Sequence, residues 1–291
     1  MKYQNKEGWL FVAPLLCWLA FSICVPLYIA IELSFFDIKI IGTEGKFVGF
    51  KNYIKTLNSS KFPKALTNSI YWVLANAVTQ TFFAFLIALT LNKHFKGAKI
   101  ATNWIILSFI IPTVVIVVIW KLMLSSSSGI INSLLVQLHI IDKPIGFFSS
   151  STSAFVSLVL INSWRWSPFL ALIILSGLKS IHQEIYDASK IDGAGFFAEF
   201  FQITLPQLKG VLFVLGLVGT LLSFNVFDII WLITKGGPSS ATTTLPLLIY
   251  ETAFTKFRLS QAAALSVITS FILLTFSIVF IKVMGKDHDE R

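Results

Sequence analysis

Six stretches of this chain, at residues 9–31, 69–91, 100–120, 154–178, 211–234 and 259–281, carry at most one charged residue each. A helix needs about 20 apolar residues to cross the hydrocarbon layer of a bilayer. Each stretch reaches that length, and the polar segments between them carry the turn residues. The pattern therefore predicts an all-α membrane protein with six transmembrane helices, folded as one membrane domain over residues 1–291. The first run is longer than a signal-peptide core and is followed by Glu32, Phe35 and Phe36, so it reads as a retained helix. Pro14 and Pro26 within it, and Pro112 in the third run, are tolerated where neighbouring helices satisfy the freed backbone groups.

Composition agrees, and it removes other classes. Charged residues make up 13% of the chain, against roughly a quarter in soluble domains. The net charge of +9 comes from scattered lysines, with Arg165, Arg258 and Arg291 the only arginines. No basic stripe with interleaved aromatics points to nucleic acid. Cys17 and Cys24, seven positions apart, would lie about 10 Å apart along a helix. That distance excludes a disulfide, so they read as packing residues. His94, His139, His182 and His288 stand alone in sequence and suggest no metal site.

The connections carry their own signals. Residues 37–66 form a polar loop with six lysines, and residues 92–99 pack three lysines into a tight connection. A second loop, 124–153, has two Ser-rich patches and a short apolar stretch at 129–138, suited to lying along a membrane interface. Six spans place both termini on one side. Counting basic residues near the span ends barely separates the two orientations.

The fourth connection is the most specific. Residues 184–206 read EIYDASKIDGAGFFAEFFQITLP. Glu184, Ala188 and Ile191 fall at helical spacing on one mixed face. Gly193 permits positive φ and so a sharp turn into a second helix. Ile203 and Leu205 anchor that helix, and Pro206 begins the turn into the fifth span. Asp187-Ala188-Ser189, three residues, Gly193, nine residues, then Ile203-x-Leu205-Pro206 resembles the EAA loop of ABC importer permeases. Asp187 and Ser189 replace the Glu and Ala of that pattern. The segment FVGFKNYIK at 47–55 and the run TKGGP at 234–238 with the threonines after it resemble loops of the carbohydrate-uptake members, the maltose and glycerol-phosphate type.

This resemblance runs from about Trp9 to Ile281 and carries several implications. The chain would be a permease subunit with no ATPase activity of its own. A coupling helix–turn–helix at 182–206 would meet a separate ATPase through Glu184, Asp187, Ala188, Ser189, Gly193, Ile203, Leu205 and Pro206. Implied partners are a second homologous permease, two ATPase subunits that hold ATP and Mg, and an extracellular or periplasmic solute-binding protein. The cargo would be a sugar or oligosaccharide, neutral or acidic, or a sugar phosphate such as glycerol 3-phosphate. The location would be a bacterial plasma membrane with both termini cytoplasmic. The sequence itself shows no nucleotide-binding loop, since neither Gly45-Lys46 nor Gly285-Lys286 has the required frame.

The polar residues inside the spans are pathway candidates. Asn162, Trp166 and Phe169 share one face of the fourth span, and relatives of the maltose type line their translocation path at matching positions. Arg165 in the same span is costly in a bilayer unless it faces a cavity, a partner or an acid. It either contacts substrate or pairs with an acid such as Asp228. On the fifth span, Gly219, Leu222, Ser223 and Asn225 are further pathway candidates, and Asp228 reads as structural or gating. An ion-coupled secondary transporter is the alternative, but it calls for buried acids in core helices, and Asp228 alone qualifies. A membrane-embedded enzyme calls for clustered catalytic side chains, which the sequence lacks.

Overall fold

The computed structural model describes residues 4–38, 45–93 and 96–285. The outermost charged tails, residues 39–44 of the lysine-bearing loop, and His94 with Phe95 lie outside the described residues. The described chain is almost wholly helical. In order it comprises α1 (Gln4–Ser34), β1 (Phe36–Asp37), β2 (Lys46–Phe47), α2 (Lys51–Leu57), α3 (Lys61–Asn92), α4 (Ala98–Ile110), α5 (Thr113–Met123), α6 (Ile130–Gln137), α7 (Ser151–Ser180) and α8 (Gln183–Ile191). There follow α9 (Phe196–Glu199), a π-helical turn at Phe200–Thr204, α10 (Leu205–Gln207), α11 (Lys209–Phe224), α12 (Asp228–Thr234), α13 (Leu245–Tyr250), a second π-helical turn at Glu251–Thr255, and α14 (Leu259–Gly285).

Five helical segments are long and apolar enough to cross a membrane: Phe11–Ser34, Lys61–Asn92, Ser151–Ser180, Lys209–Thr234 and Leu259–Val283. The expected third span differs. It is two shorter helices, α4 and α5, separated at Ile111 and Pro112. Ile111 takes the extended conformation, with ψ 128°, because the ring of a following proline disfavours the helical one. Pro112 therefore breaks this run instead of bending it.

The fifth span is also divided, with no proline to do it. α11 stops at Phe224, and α12 starts three residues after Asn225. Side chains support the carbonyls at this break: Asn225 Nδ2 donates to Leu221 O at 2.8 Å, and Trp72 Nε1 of α3 donates to Ser223 O at 2.9 Å. Such support is what a broken helix needs where water is excluded.

The chain divides into two compact units, one of Met1–Pro63 with Leu248–Leu274 and one of Lys64–Leu247 with Thr275–Arg291. In the larger unit α7 is the central helix. Its N-terminal half packs Leu158 and Ile161 with Trp72 of α3, Ile116 of α5 and Ile229 and Ile230 of α12. Its C-terminal half packs Ala171, Ile174 and Leu178 with Ala84 and Ala88 of α3 and with Leu208. α7 opens with a reciprocal cap between Ser150 and Ser153. The threonines after the TKGGP run close their own loop. Thr242 Oγ1 donates to Gly237 O at 2.9 Å, and Asn68 Nδ2 of α3 donates to the Ser240 and Thr243 carbonyls, each at 3.0 Å.

In the smaller unit, the FVGFKNY segment is an aromatic and amide clasp. Phe35, Phe50 and Tyr53 contact one another with ring centroids 5.4–5.7 Å apart. Asn52 Nδ2 donates to Ser34 O and Phe36 O. The main surprise is α1. Its apolar side chains stay exposed along its length, and Cys17 and Cys24 are exposed with them. The expectation that these two cysteines pack inside the chain is therefore not met.

Candidate functional site

The 182–206 stretch forms two helices joined by a tight turn. α8 begins with Glu184 in its first turn and ends with Lys190 in its last, matching each charge to the favourable end of the helix dipole. Gly193 has φ +79°, a conformation glycine adopts without steric cost. The turn closes α8 in a Schellman pattern, with Ala194 N–H donating to Ser189 O at 2.9 Å and Gly193 N–H to Lys190 O at 3.1 Å.

Ser189 is buried and its hydroxyl donates to Tyr186 O at 2.8 Å. The Tyr186 hydroxyl lies 3.2 Å from Thr204 Oγ1, tying α8 to the π-helical turn. That turn precedes Pro206, whose missing N–H leaves one ladder bond unmade. From Phe196 to Phe224 the backbone is helical except at Leu208, where ψ is 2°. Pro206 thus sits inside a nearly continuous helical path, and the expected turn into the fifth span reduces to the single joint at Leu208.

Leu208 is buried against α3 and α7. A Cβ on Gly177 of α7 would stand 2.8 Å from side-chain atoms of Leu208 and Val211, so glycine lets the two helices approach closely there. The outer surface of this element is different in character. Glu184, Asp187 and Ala188 are exposed, and Ile191 is 87% exposed with Phe196, Phe197 and Phe201 beside it in sequence. Carboxylates and uncovered large apolar groups together make a surface suited to a protein partner. The three phenylalanines did not stand out in the sequence, because a Phe-rich run beside a membrane span resembles more of the span.

Within the span region, the structure separates the pathway candidates. Asn162 is fully buried, and its Nδ2 donates to Asn76 Oδ1 at 2.7 Å. Gln80 Nε2 donates to the same oxygen at 2.9 Å, and Thr79 Oγ1 lies 2.6 Å from Ser163 Oγ. These groups form a polar seam between α3 and α7. Asn76, Thr79 and Gln80 escape notice in an uncharged run, although their i, i+3, i+4 spacing on one helix face is a readable signal.

Arg165, 16% exposed, donates from Nη1 to Asp228 Oδ2 at 3.1 Å, and Asp228 Oδ1 accepts from Ile229 N–H at 2.9 Å. The guanidinium carbon lies 5.5 Å from the Trp166 ring centre, and Trp166 and Phe169 meet edge to face at 6.3 Å. Gly219 lines a cavity of about 250 Å³ with Gln80, Thr81, Gly216 and Thr220. Ser223 is buried, whereas Leu222 and Asn225 are exposed with Val214 and Val218 on α11.

Comparison with known proteins extends this picture. The family model of the binding-protein-dependent transport system inner membrane component matches residues 80–284. The chain is 33% identical to the trehalose/maltose transport system permease protein MalF of Thermococcus litoralis, covering 97% of this chain and 95% of that one. It is 29% identical to the lactose transport system permease protein LacF of Rhizobium radiobacter, covering 97% and 94%. Its fold matches a chain from the crystal structure of a bacterial ABC transporter involved in the import of the acidic polysaccharide alginate, with a TM-score of 0.82 at 21% identity over 97% of both chains. With the long apolar helices, these similarities make the protein a multi-pass membrane protein. The chain belongs to the family of binding-protein-dependent transport system inner membrane components.

Proposed function

We propose that this permease subunit carries neutral sugars or oligosaccharides inward, as half of the translocation pathway of an ATP-driven importer. The observation that carries the reading is the exposed α8–α9 surface, joined by an almost unbroken helical path to α11, in a chain similar throughout to a trehalose/maltose permease. A push on α8 or α9 reaches α11 with little slack, because Leu208, Gly177 and the Tyr186–Thr204 contact hold the joint. Glu184, Asp187, Ala188, Ser189, Gly193, Ile203, Leu205 and Pro206 make up this coupling element. ATP and Mg would belong to the ATPase subunits docking on it, and in this reading the 182–206 element and both termini face the cytoplasm. A solute-binding protein would deliver cargo on the opposite face. The structural neighbour in complex with an alginate pentasaccharide-bound periplasmic protein illustrates such a delivery.

Val218, Leu222 and Asn225 on α11 are exposed among the described residues, which fits a pathway closed by a second permease. Gly219, which lines the cavity of about 250 Å³, directly follows Val218 on the same helix. The Arg165–Asp228 pair supports neutral cargo: the arginine charge is balanced inside the chain, so an anionic substrate is not required as a counter-ion. The test is ATPase activity of the assembled transporter in lipid, with its binding protein loaded with a neutral or a uronate oligosaccharide. Stimulation by the neutral sugar supports this reading. Stimulation by the uronate alone would return Arg165 to substrate recognition.

A further inference from the structure

The smaller unit contains a polar cleft that the transport reading does not use. It lies among α2, the start of α3 and the connection between α13 and α14. Its lining includes Thr56, Ser59, Lys61, Lys256, Arg258 and Gln261. Two observations single it out. First, Thr56 is only 3% exposed, yet its Oγ1 has no hydrogen-bond partner. A buried hydroxyl without a partner is uncommon in native proteins and calls for an explanation.

Second, three cations line the cleft, and two of them share one carboxylate. Glu251 lies 3.9 Å from Lys61 Nζ and 4.0 Å from Lys256 Nζ, and no ion pair forms to Arg258 among the described residues. Burial, and then the charge of Lys61, hold the Lys256 ammonium below the usual lysine range, while Glu251 acts against them. Lys61 and Lys256 thus share one carboxylate, and Arg258 adds a third positive charge to the lining. The cleft holds about 60 Å³, room for roughly two waters or one small oxyanion. It shares Lys256, Arg258 and Gln261 with a wider, open cleft of about 620 Å³ that also includes Asp37 and Lys55. Phe257, 72% exposed, lines that wider cleft.

We infer that this cleft is a phosphate-binding site, in which Lys61, Lys256 and Arg258 neutralise the anion and the Thr56 hydroxyl donates to one of its oxygens. Guanidinium and ammonium donors to phosphate make short, charge-assisted hydrogen bonds. The small cleft takes the phosphate group, and the wider one takes whatever is esterified to it. That substituent is a phospholipid glycerol backbone or, for free phosphate, nothing. The exposed Phe257 beside the cations favours neither source.

The experiment uses the purified full chain in a non-ionic, phosphate-free detergent, so it requires neither ATPase nor transport and stands apart from the importer reading. Thermal unfolding and isothermal titration are followed with inorganic phosphate and, separately, with the water-soluble lipid dioctanoylphosphatidylglycerol. Saturable stabilisation by either probe is expected. Lys256→Gln and Arg258→Gln should each weaken it about tenfold or more, whereas Lys143→Gln should not. Thr56→Val should raise the midpoint without probe, by removing an unpartnered hydroxyl, and shrink the probe-induced rise. Stabilisation by both probes identifies a free-phosphate site that tolerates esters; by the lipid alone, a headgroup site. No saturable stabilisation by either, or equal loss in Lys143→Gln, would overturn the assignment.

Discussion

Arg165 on α7 donates to Asp228, the first residue of α12, at 3.1 Å. The pair fastens the second half of the broken fifth span to the central helix. Arg165 is 16% exposed and Asp228 41%, so the contact lies between two regimes. Exposed pairs contribute about 0–1 kcal/mol, and breaking a buried pair costs about 3–5 kcal/mol. A double-mutant cycle of Arg165→Ala and Asp228→Ala, read by thermal or denaturant unfolding in detergent, should give a coupling of about 1–2 kcal/mol. Uptake of neutral and acidic sugars should fall together in Arg165→Ala. A selective loss of acidic cargo would contradict the structural role.

Gly193 has φ +79° and no heavy atom within 4 Å of where a Cβ would stand. Any effect of Gly193→Ala is therefore backbone strain, about 1–2 kcal/mol for a left-handed L-residue, without steric collision. The strain falls on the α8–α9 turn, so the membrane fold should survive. The ratio of sugar transported to ATP hydrolysed should drop, and more so in the β-branched Gly193→Val. Wild-type coupling in Gly193→Val would remove the role assigned to this turn.

Asn76 accepts from both Asn162 and Gln80 through one oxygen. Removing that acceptor leaves two buried amides short of a partner, at about 1–3 kcal/mol each. Removing Asn162 instead leaves Asn76 still bonded to Gln80. Asn76→Ala should thus be more destabilising than Asn162→Ala, measured as the loss of unfolding midpoint. The reverse order would mean that Asn162 has another role, such as facing the pathway.

Gly177→Val tests the joint at Leu208. The added methyls meet Leu208 and Val211, and overpacking of this kind costs about 1–3 kcal/mol. Because the proposed coupling passes from α8–α9 to α11 at this joint, transport should fall more than the number of folded molecules, counted by size-exclusion chromatography.

These particulars also mark what the sequence reveals. The apolar runs locate the long helices because the bilayer demands length and lack of charge, both visible in a string of letters. The Gly193 turn is legible because one residue type answers a backbone need. The break at residues 225–227 is not, since no glycine or proline makes it; it depends on Trp72, 151 residues away. Arg165 has two readings in sequence because the choice between substrate and Asp228 is a distance. The seam of Asn76 and Gln80 is hidden for a related reason: uncharged polar groups do not interrupt an apolar run. The exposure of α1, Phe196 and Phe197 is likewise invisible in the sequence, because it depends on packing and not on residue type.

The most direct test of the central account is sugar uptake into proteoliposomes bearing the assembled transporter, with ATP supplied or withheld at the ATPase face. The account predicts that uptake requires ATP and the loaded binding protein and persists when an ionophore collapses ion gradients. Uptake that continues without ATP but stops with the ionophore would contradict it, and would mark the chain as ion-coupled.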